Sequence, residues 1–127
     1  MATLEQISDF LAQEAVAVIG VSTDTSKFGW IVYRNLQGRG YRVYAVNPRY
    51  TQVNGEPCYA TVGEVPEPVG LAVLVVPPTV GERLMPELAS AGVARVWLQP
   101  GAESPAVLAA AAAAGLQVVH GACIMMS

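Results

Sequence analysis

The 127-residue sequence has few charged side chains and very few cations. Charged residues make up 13% of the chain, and its 7 Lys and Arg residues face 10 Asp and Glu residues, for a net charge of −3. Proteins that bind nucleic acid usually carry a strongly basic surface, so this balance argues against a nucleic-acid partner. Hydrophobic residues reach 53%, which excludes an intrinsically disordered chain.

Long apolar runs, a secretory leader and closely spaced cysteines are also missing. No apolar stretch approaches the roughly 18 residues of a membrane-spanning helix, and residues 1–14 have neither a basic start nor an apolar core. The two cysteines, Cys58 and Cys123, have no metal-ligand spacing and are expected to be separate reduced thiols. We therefore expect a cytoplasmic protein without a membrane segment, folded as a single domain over residues 1–127.

Aliphatic segments alternate with helix-like segments along the chain. Five strands and one short edge strand are predicted: Ala15–Ile19, Tyr41–Val46, Leu71–Val76, Val93–Leu98, Leu116–His120 and, at the edge, Cys58–Ala60. Their nearly continuous Val, Ile, Leu and Ala content is typical of strands that are covered on both faces. The sequence therefore predicts an α/β, Rossmann-like domain of three layers, with a mainly parallel sheet of five or six strands and helices on both faces.

The helices between these strands have recognisable starts. Capping boxes are predicted at Thr3–Gln6 and at Thr79–Glu82, each at the start of a helix. Residues 27–36 have apolar side chains at helical spacing and supply the helix between the first two strands. With right-handed crossovers, the second strand and Leu71–Val76 lie on opposite sides of the first, so a crevice opens at its carboxyl end.

The loop after the first strand has the composition of an anion-binding loop. Gly20 allows close approach of a ligand, and Lys27, the only lysine, adds a positive charge at the start of the next helix. The loop lacks the Gly-x-Gly-x-x-Gly and Gly-Lys-Ser/Thr patterns of the common nucleotide-binding enzymes. We predict phosphate contacts from Gly20, Val21, Ser22, Thr25, Ser26, Lys27 and Phe28. The alternative is a Ser/Thr-rich turn that only caps the helix through Ser26.

The residues after the second strand indicate which phosphate compound fits. NAD-binding folds have an acidic residue there, whereas this chain has Asn47, Pro48 and Arg49. A guanidinium binds phosphate through two parallel hydrogen bonds, which favours a ribose with its own phosphate, as in NADP and coenzyme A. The alternative is that Arg49 is a solvated turn residue.

Two more segments end strands at the same edge of the predicted sheet. Val76, Pro77 and Pro78 form a rigid, apolar stretch that is suited to flank an adenine or a pantetheine arm. Gln99 follows the next strand and is predicted to line the cleft further along. The alternative is that the prolines only terminate a strand.

Taken together, these segments resemble a known family. The motifs are Ala17-Val18-Ile19-Gly20-Val21-Ser22, Lys27-Phe28-Gly29, Tyr44-Ala45-Val46-Asn47-Pro48-Arg49-Tyr50, Val76-Pro77-Pro78 and Trp97-Leu98-Gln99-Pro100-Gly101. The chain closely resembles the small stand-alone CoA-binding proteins of the CoA-binding domain family, which are similar to the CoA-binding domain of the succinyl-CoA synthetase alpha subunit. The resemblance implies that residues 20–27 lie at the phosphates of coenzyme A, 47–49 near the nucleotide and 76–78 along the cleft.

Catalytic features are sparse in this sequence. His120 is the only histidine, and its spacing from Cys123 is a weak basis for a catalytic pair. We therefore expect the protein to bind coenzyme A or an acyl-CoA through its 3′-phospho-ADP part without catalysis of its own. The alternatives are an NADP-dependent reductase and a regulatory or scaffold protein with a vestigial nucleotide cleft. The sequence identifies no protein partner.

Overall fold

The first strand, β1 (Ala15–Ile19), is buried along its whole length because helices cover both of its faces. In the computed structural model, which describes residues 2–127, successive β1 side chains point to opposite faces of the sheet. Val16 and Val18 join one half of the core, and the three residues that alternate with them join the other half. The continuous aliphatic run is thus explained by burial on two sides.

Within residues 2–127 the chain forms four α-helices and seven strands. The helices are α1 (Leu4–Leu11), α2 (Phe28–Gly38), α3 (Pro78–Ser90) and α4 (Pro105–Ala113). The remaining strands are β2 (Arg42–Val46), β3 (Gln52–Val53), β4 (Glu56–Tyr59), β5 (Leu71–Leu74), β6 (Arg95–Leu98) and β7 (Gln117–Val119). Short 3-10 turns occupy Val62–Glu64 and Ile124–Met126.

The strands form one sheet in the order β3-β4-β2-β1-β5-β6-β7. All neighbours are parallel except β3 and β4. Phe10 of α1 and Leu36 of α2 are buried against one face, and Met85 of α3 and Val107 of α4 are buried against the other. The three-layer, Rossmann-like fold is confirmed, as is the position of β1 between β2 and β5.

The strand count is higher than the five or six strands predicted, because a short hairpin forms at the sheet edge. Strands β3 and β4 pair antiparallel across Asn54 and Gly55, which both have positive φ angles, of 54° and 76°. An Asn-Gly pair is the sequence signal for this type of tight turn. The predicted loop between residues 51 and 68 therefore contains an additional strand.

The predicted capping box at Thr79–Glu82 is wrong. Helix α3 begins at Pro78 with Pro77 as its N-cap, so Thr79 already lies inside the first turn. Proline is favoured at the first helical position because its φ is preset and its missing N–H is not needed there. At the start of α1, by contrast, the Thr3 hydroxyl does accept a hydrogen bond from the Gln6 amide at 3.0 Å.

Two glycines allow close backbone contacts at the end of β1, one with the segment after β5 and one with the start of α2. Gly20 has a φ of +101°, and a Cβ added to it would lie 2.2 Å from the Val75 carbonyl oxygen. A Cβ added to Gly29, in the first turn of α2, would lie 2.1 Å from the Gly20 carbonyl oxygen. No larger residue fits either position without a shift of the backbone, so this contact fixes where α2 starts.

We expect Gly29→Ala to destabilise the protein by about 1–3 kcal/mol, because the added methyl group forces α2 away from β1. Gly38→Ala is the matched control in the same helix, since nothing lies within 4 Å of a Cβ added at Gly38. That substitution should be neutral or stabilise the helix by up to about 1 kcal/mol. Urea unfolding of both variants measures the difference, and equal stabilities would contradict the proposed packing constraint.

Candidate functional site

A cavity of about 1000 Å³ lies at the carboxyl ends of β1, β2 and β5. Strands β2 and β5 lie on opposite sides of β1 in the sheet. The loops that follow β1 and β5 therefore diverge at this point. Ligands of open α/β sheets bind at this kind of crevice. Its lining has two parts, a polar rim formed by loops and an apolar wall to which the sheet, a 3-10 turn and α3 contribute.

The polar rim combines the loops after β1 and β2. Ser22, Asp24 and Lys27 come from the first loop, and Asn47 and Arg49 come from the second. Lys27 is the N-cap residue of α2, where it makes no side-chain capping bond. The positive end of the helix dipole and the lysine therefore lie together at the rim.

The apolar wall is formed by aliphatic side chains from the sheet, the 3-10 turn at 62–64 and α3. Its members are Ile19, Val46, Val62, Val75, Val76, Val80, Leu84 and Leu88. Mixed lining of this kind, largely apolar with a few polar groups at defined positions, is typical of small-molecule sites.

The cavity brings together eight of the residues that the sequence predicted as ligand contacts: Gly20, Ser22, Lys27, Asn47, Pro48, Arg49, Val76 and Pro77. The other six lie outside its lining. Val21 is fully buried beneath the loop. Thr25, Ser26 and Phe28 are exposed beside it. Pro78 lines a smaller neighbouring groove, and Gln99 is buried with only 3% of its surface exposed.

Asn47 holds the two rim loops together. Its Nδ2 group donates to the Val21 carbonyl oxygen at 2.8 Å, and its Oδ1 atom accepts from the Arg49 amide at 2.9 Å. Both ends of the side-chain amide are therefore engaged within the protein. These bonds fix the Arg49 backbone relative to the β1–α2 loop.

An acidic residue that the sequence reasoning missed lies in the rim. Asp24 Oδ1 accepts hydrogen bonds from the Ser26 amide at 3.0 Å and the Ser26 hydroxyl at 2.6 Å. These two bonds lower the pKa of Asp24 below its usual range, so its carboxylate is charged at neutral pH. The amide and the hydroxyl of Ser26 are thus both bonded to Asp24. An Asp two residues before a serine is a recognised turn pattern, so a signal for this arrangement was present in the sequence.

Tyr50 was also missed as a cavity residue, although it lies in one of the family motifs. It lines the cavity next to the β1–α2 loop. The neighbouring side chains of Thr23 and Ser22 lower the pKa of Tyr50 below its ordinary value. The loops after β1 and β2 therefore meet at a second point, beside the Asn47 bridge.

Three cations that form no ion pair within residues 2–127 line this cavity. Arg42 pairs with Glu67 and Glu14, and Arg95 pairs with Asp9. Arg39 donates to the carbonyl oxygens of Ile124 and Ser127, and Arg34 donates to the Gln37 side chain. The cations that line the cavity are Lys27, Arg49 and Arg83. Within residues 2–127, none of the three is bonded to a carboxylate or to another side-chain acceptor.

The C-terminal segment is fastened by Gln99. Its Nε2 group donates to the Cys123 thiol at 3.1 Å, and its Oε1 atom accepts from the Ile124 amide at 2.8 Å. Cys58 is buried, Cys123 is half-buried and both are free thiols, as predicted. Burial raises the pKa of the Cys58 thiol. His120 is exposed just after β7.

Two general features of the described chain complete this picture. Residues 2–127 hold no cluster of three or more His, Cys, Asp or Glu side chains arranged to bind a metal ion. None of the helices described over that range is both long and apolar enough to cross a lipid bilayer.

Sequence comparison relates the chain to part of a larger enzyme. It is 47% identical over 64 residues to acetate–CoA ligase [ADP-forming] I of Archaeoglobus fulgidus, a match that covers 50% of this chain and 9% of the relative. The chain thus spans only about a tenth of that relative's length.

The chain matches a solved structure of similar length, part of a larger solved structure, and a family model. A conserved hypothetical protein from Pyrococcus furiosus is 38% identical with a TM-score of 0.84, and the match covers 89% of this chain and 97% of that one. The dinucleotide-forming acetyl-coenzyme A synthetase 1 of Ca. Korarchaeum cryptofilum is 31% identical with a TM-score of 0.72, over 84% of this chain and 25% of that one. The model of the CoA binding domain matches residues 14–127. The chain belongs to the CoA binding domain family.

Proposed function

We propose that residues 1–127 act as a single CoA-binding domain that holds coenzyme A, or an acyl-CoA, through its 3′-phospho-ADP part and without catalysis of its own. The observation that carries this proposal is the convergence of Lys27, Arg49 and Arg83 on one cavity of an otherwise acidic chain. Coenzyme A carries a diphosphate and a ribose phosphate, so its recognition needs several positive charges in one place.

The diphosphate belongs at the start of α2. The first turn of a helix leaves its N–H groups without partners in the helix, and these groups bind anions well. Gly20 lines the cavity without a side chain, and Lys27 adds a full charge at the start of the helix. Helix dipole, amides and lysine then act on the same phosphates.

The ribose phosphate belongs at Arg49. This side chain lies on the cavity rim, and its backbone amide is fixed by Asn47. No acid stands where a NAD-binding fold would bond the ribose hydroxyls, because Asn47 and Pro48 precede the arginine. The arrangement favours a phosphorylated ribose over a free one.

The pantetheine arm fits the groove beside the cavity. This groove of about 420 Å³ shares Val75, Val76 and Pro77 with the cavity and continues along Pro100–Ala102. An apolar channel suits the mostly aliphatic arm, and an adjoining cavity suits the nucleotide. NADP shares the diphosphate and the phosphorylated ribose but has no such arm, so it is the appropriate competitor in a binding experiment.

We expect Arg49→Ala to abolish discrimination between CoA and dephospho-CoA. The wild-type protein should bind CoA about tenfold more tightly, since a hydrogen bond to a charged group contributes about 1.5–3 kcal/mol and Arg49 is exposed. Calorimetric titration with CoA, dephospho-CoA and NADP measures this preference. Arg34→Ala, an exposed arginine on α2 outside the cavity lining, is the control and should keep it. Equal affinities of the wild type for CoA and dephospho-CoA would rule out the contact, and tighter binding of NADP would favour the reductase.

Lys27→Met should weaken CoA binding regardless of the ribose phosphate, because it removes a charge from the diphosphate end. Ligand at 100 times its Kd stabilises a folded protein by about 2.7 kcal/mol, so the rise in Tm with CoA should shrink clearly in this variant. Arg34→Met removes a cation from the same helix away from the cavity and should retain the full rise. A full rise in Lys27→Met would show that Lys27 does not contribute to diphosphate binding.

Asp24→Asn should tighten CoA binding several-fold. The change removes a negative charge that faces the bound phosphates, while asparagine Oδ1 can still accept from the Ser26 amide. Glu5→Gln, an exposed acid on α1, gives the same change in net charge away from the cavity and should leave the affinity unchanged. Titration at low salt measures both variants, and unchanged or weaker binding by Asp24→Asn would show that the carboxylate does not oppose the ligand.

A further inference from the structure

The α3 side of the cavity carries two charges, and neither has been assigned to the diphosphate or the ribose phosphate. Arg83 and Glu87 both line the cavity, and they lie four residues apart on one face of α3. Leu84 and Leu88 line the cavity from the same helix. A hydrogen-bond donor, Arg83, and an acceptor, Glu87, therefore lie beside the apolar side chains of Leu84 and Leu88.

Both charged groups are available to a ligand. The ion pairs within residues 2–127 include no pair between Arg83 and Glu87 within 4.0 Å. Arg83 Nε makes only a long contact of 3.4 Å with the Thr79 carbonyl oxygen of its own helix. Glu87 is half-buried. A half-buried carboxylate without a cation partner gains most from a donor that a ligand brings.

Two more apolar residues border the same cavity. Val62, from the 3-10 turn that packs on α3, and Pro48, from the loop after β2, line the cavity along with the apolar face of α3. Apolar side chains around a cleft with a donor and an acceptor at its margin suit a flat heterocycle that has polar groups on its edge.

We propose that Glu87 and Arg83 read the base of the bound nucleotide and select adenine, an inference that rests on the CoA-binding function proposed above. Adenine places an amine donor next to a ring-nitrogen acceptor, which complements a carboxylate beside a guanidinium. Glu87 accepts from the exocyclic amine, and Arg83 donates to the neighbouring ring nitrogen. Guanine and hypoxanthine place a carbonyl oxygen where adenine has the amine, so their oxygen would face the carboxylate.

The test compares CoA with deaminated CoA, in which hypoxanthine replaces adenine and nothing else changes. Wild-type protein should bind CoA about 10–100-fold more tightly, because a site built to bond an amine rejects an analogue without it. In Glu87→Gln this preference should fall below about threefold, since a side-chain amide can accept from the amine or donate to the oxygen. Calorimetric titration measures all four affinities.

Glu82→Gln is the matched control. Glu82 is an exposed acid on the same helix and does not line the cavity, so this variant should keep the wild-type preference. Arg83→Met should weaken CoA binding at least about fivefold through loss of a charged hydrogen bond. Unchanged CoA affinity in Arg83→Met would remove that residue from base recognition.

The outcomes separate the two proposals. A wild-type protein that does not bind CoA would overturn the CoA-binding function itself. A wild-type protein that binds CoA and deaminated CoA equally, or a Glu87→Gln variant with the full preference, would overturn base selection by Glu87 and leave CoA binding standing.

Discussion

The site depends on one contact, the approach of the start of α2 to the end of β1. Gly29 makes this contact possible, because a side-chain carbon there would overlap the Gly20 carbonyl oxygen, while the absence of a side chain at Gly20 makes room for the Val75 backbone after β5. The contact brings Lys27, the N-cap residue of α2, to the edge of the cavity. The same backbone geometry that closes the core therefore places the positive end of the helix dipole near the proposed ligand.

Charge is distributed so that the cavity becomes locally positive on an acidic chain. Arg42 and Arg95 are neutralised by carboxylates elsewhere, whereas Lys27, Arg49 and Arg83 remain available at the cavity. Long-range attraction from the whole chain would not favour a polyanion at a net charge of −3. In the proposed function, recognition of phosphate therefore comes from short-range contacts inside the cavity, where geometry as well as charge decides what binds.

The sequence predicted the fold and the polar rim because both depend on local signals. The aliphatic run of β1 indicates burial on two faces, and Gly20, Lys27 and Arg49 follow strand ends whose position the topology fixes. Arg83 and Glu87 could not be placed this way. They lie within a helix, and which face of that helix borders a cavity depends on how it packs against the sheet and the 3-10 turn.

The two acids of the cavity make sense as determinants of selectivity. A cleft lined by cations alone would accept many phosphorylated compounds, because phosphate carries no information about the base or the arm attached to it. Asp24 lowers the attraction for any anion, so a ligand must recover that loss through further contacts. Glu87 offers such a contact only to a ligand with a donor at the matching place. In the proposed site, affinity for phosphate and preference for one nucleotide thus arise from different residues on opposite sides of a single cavity.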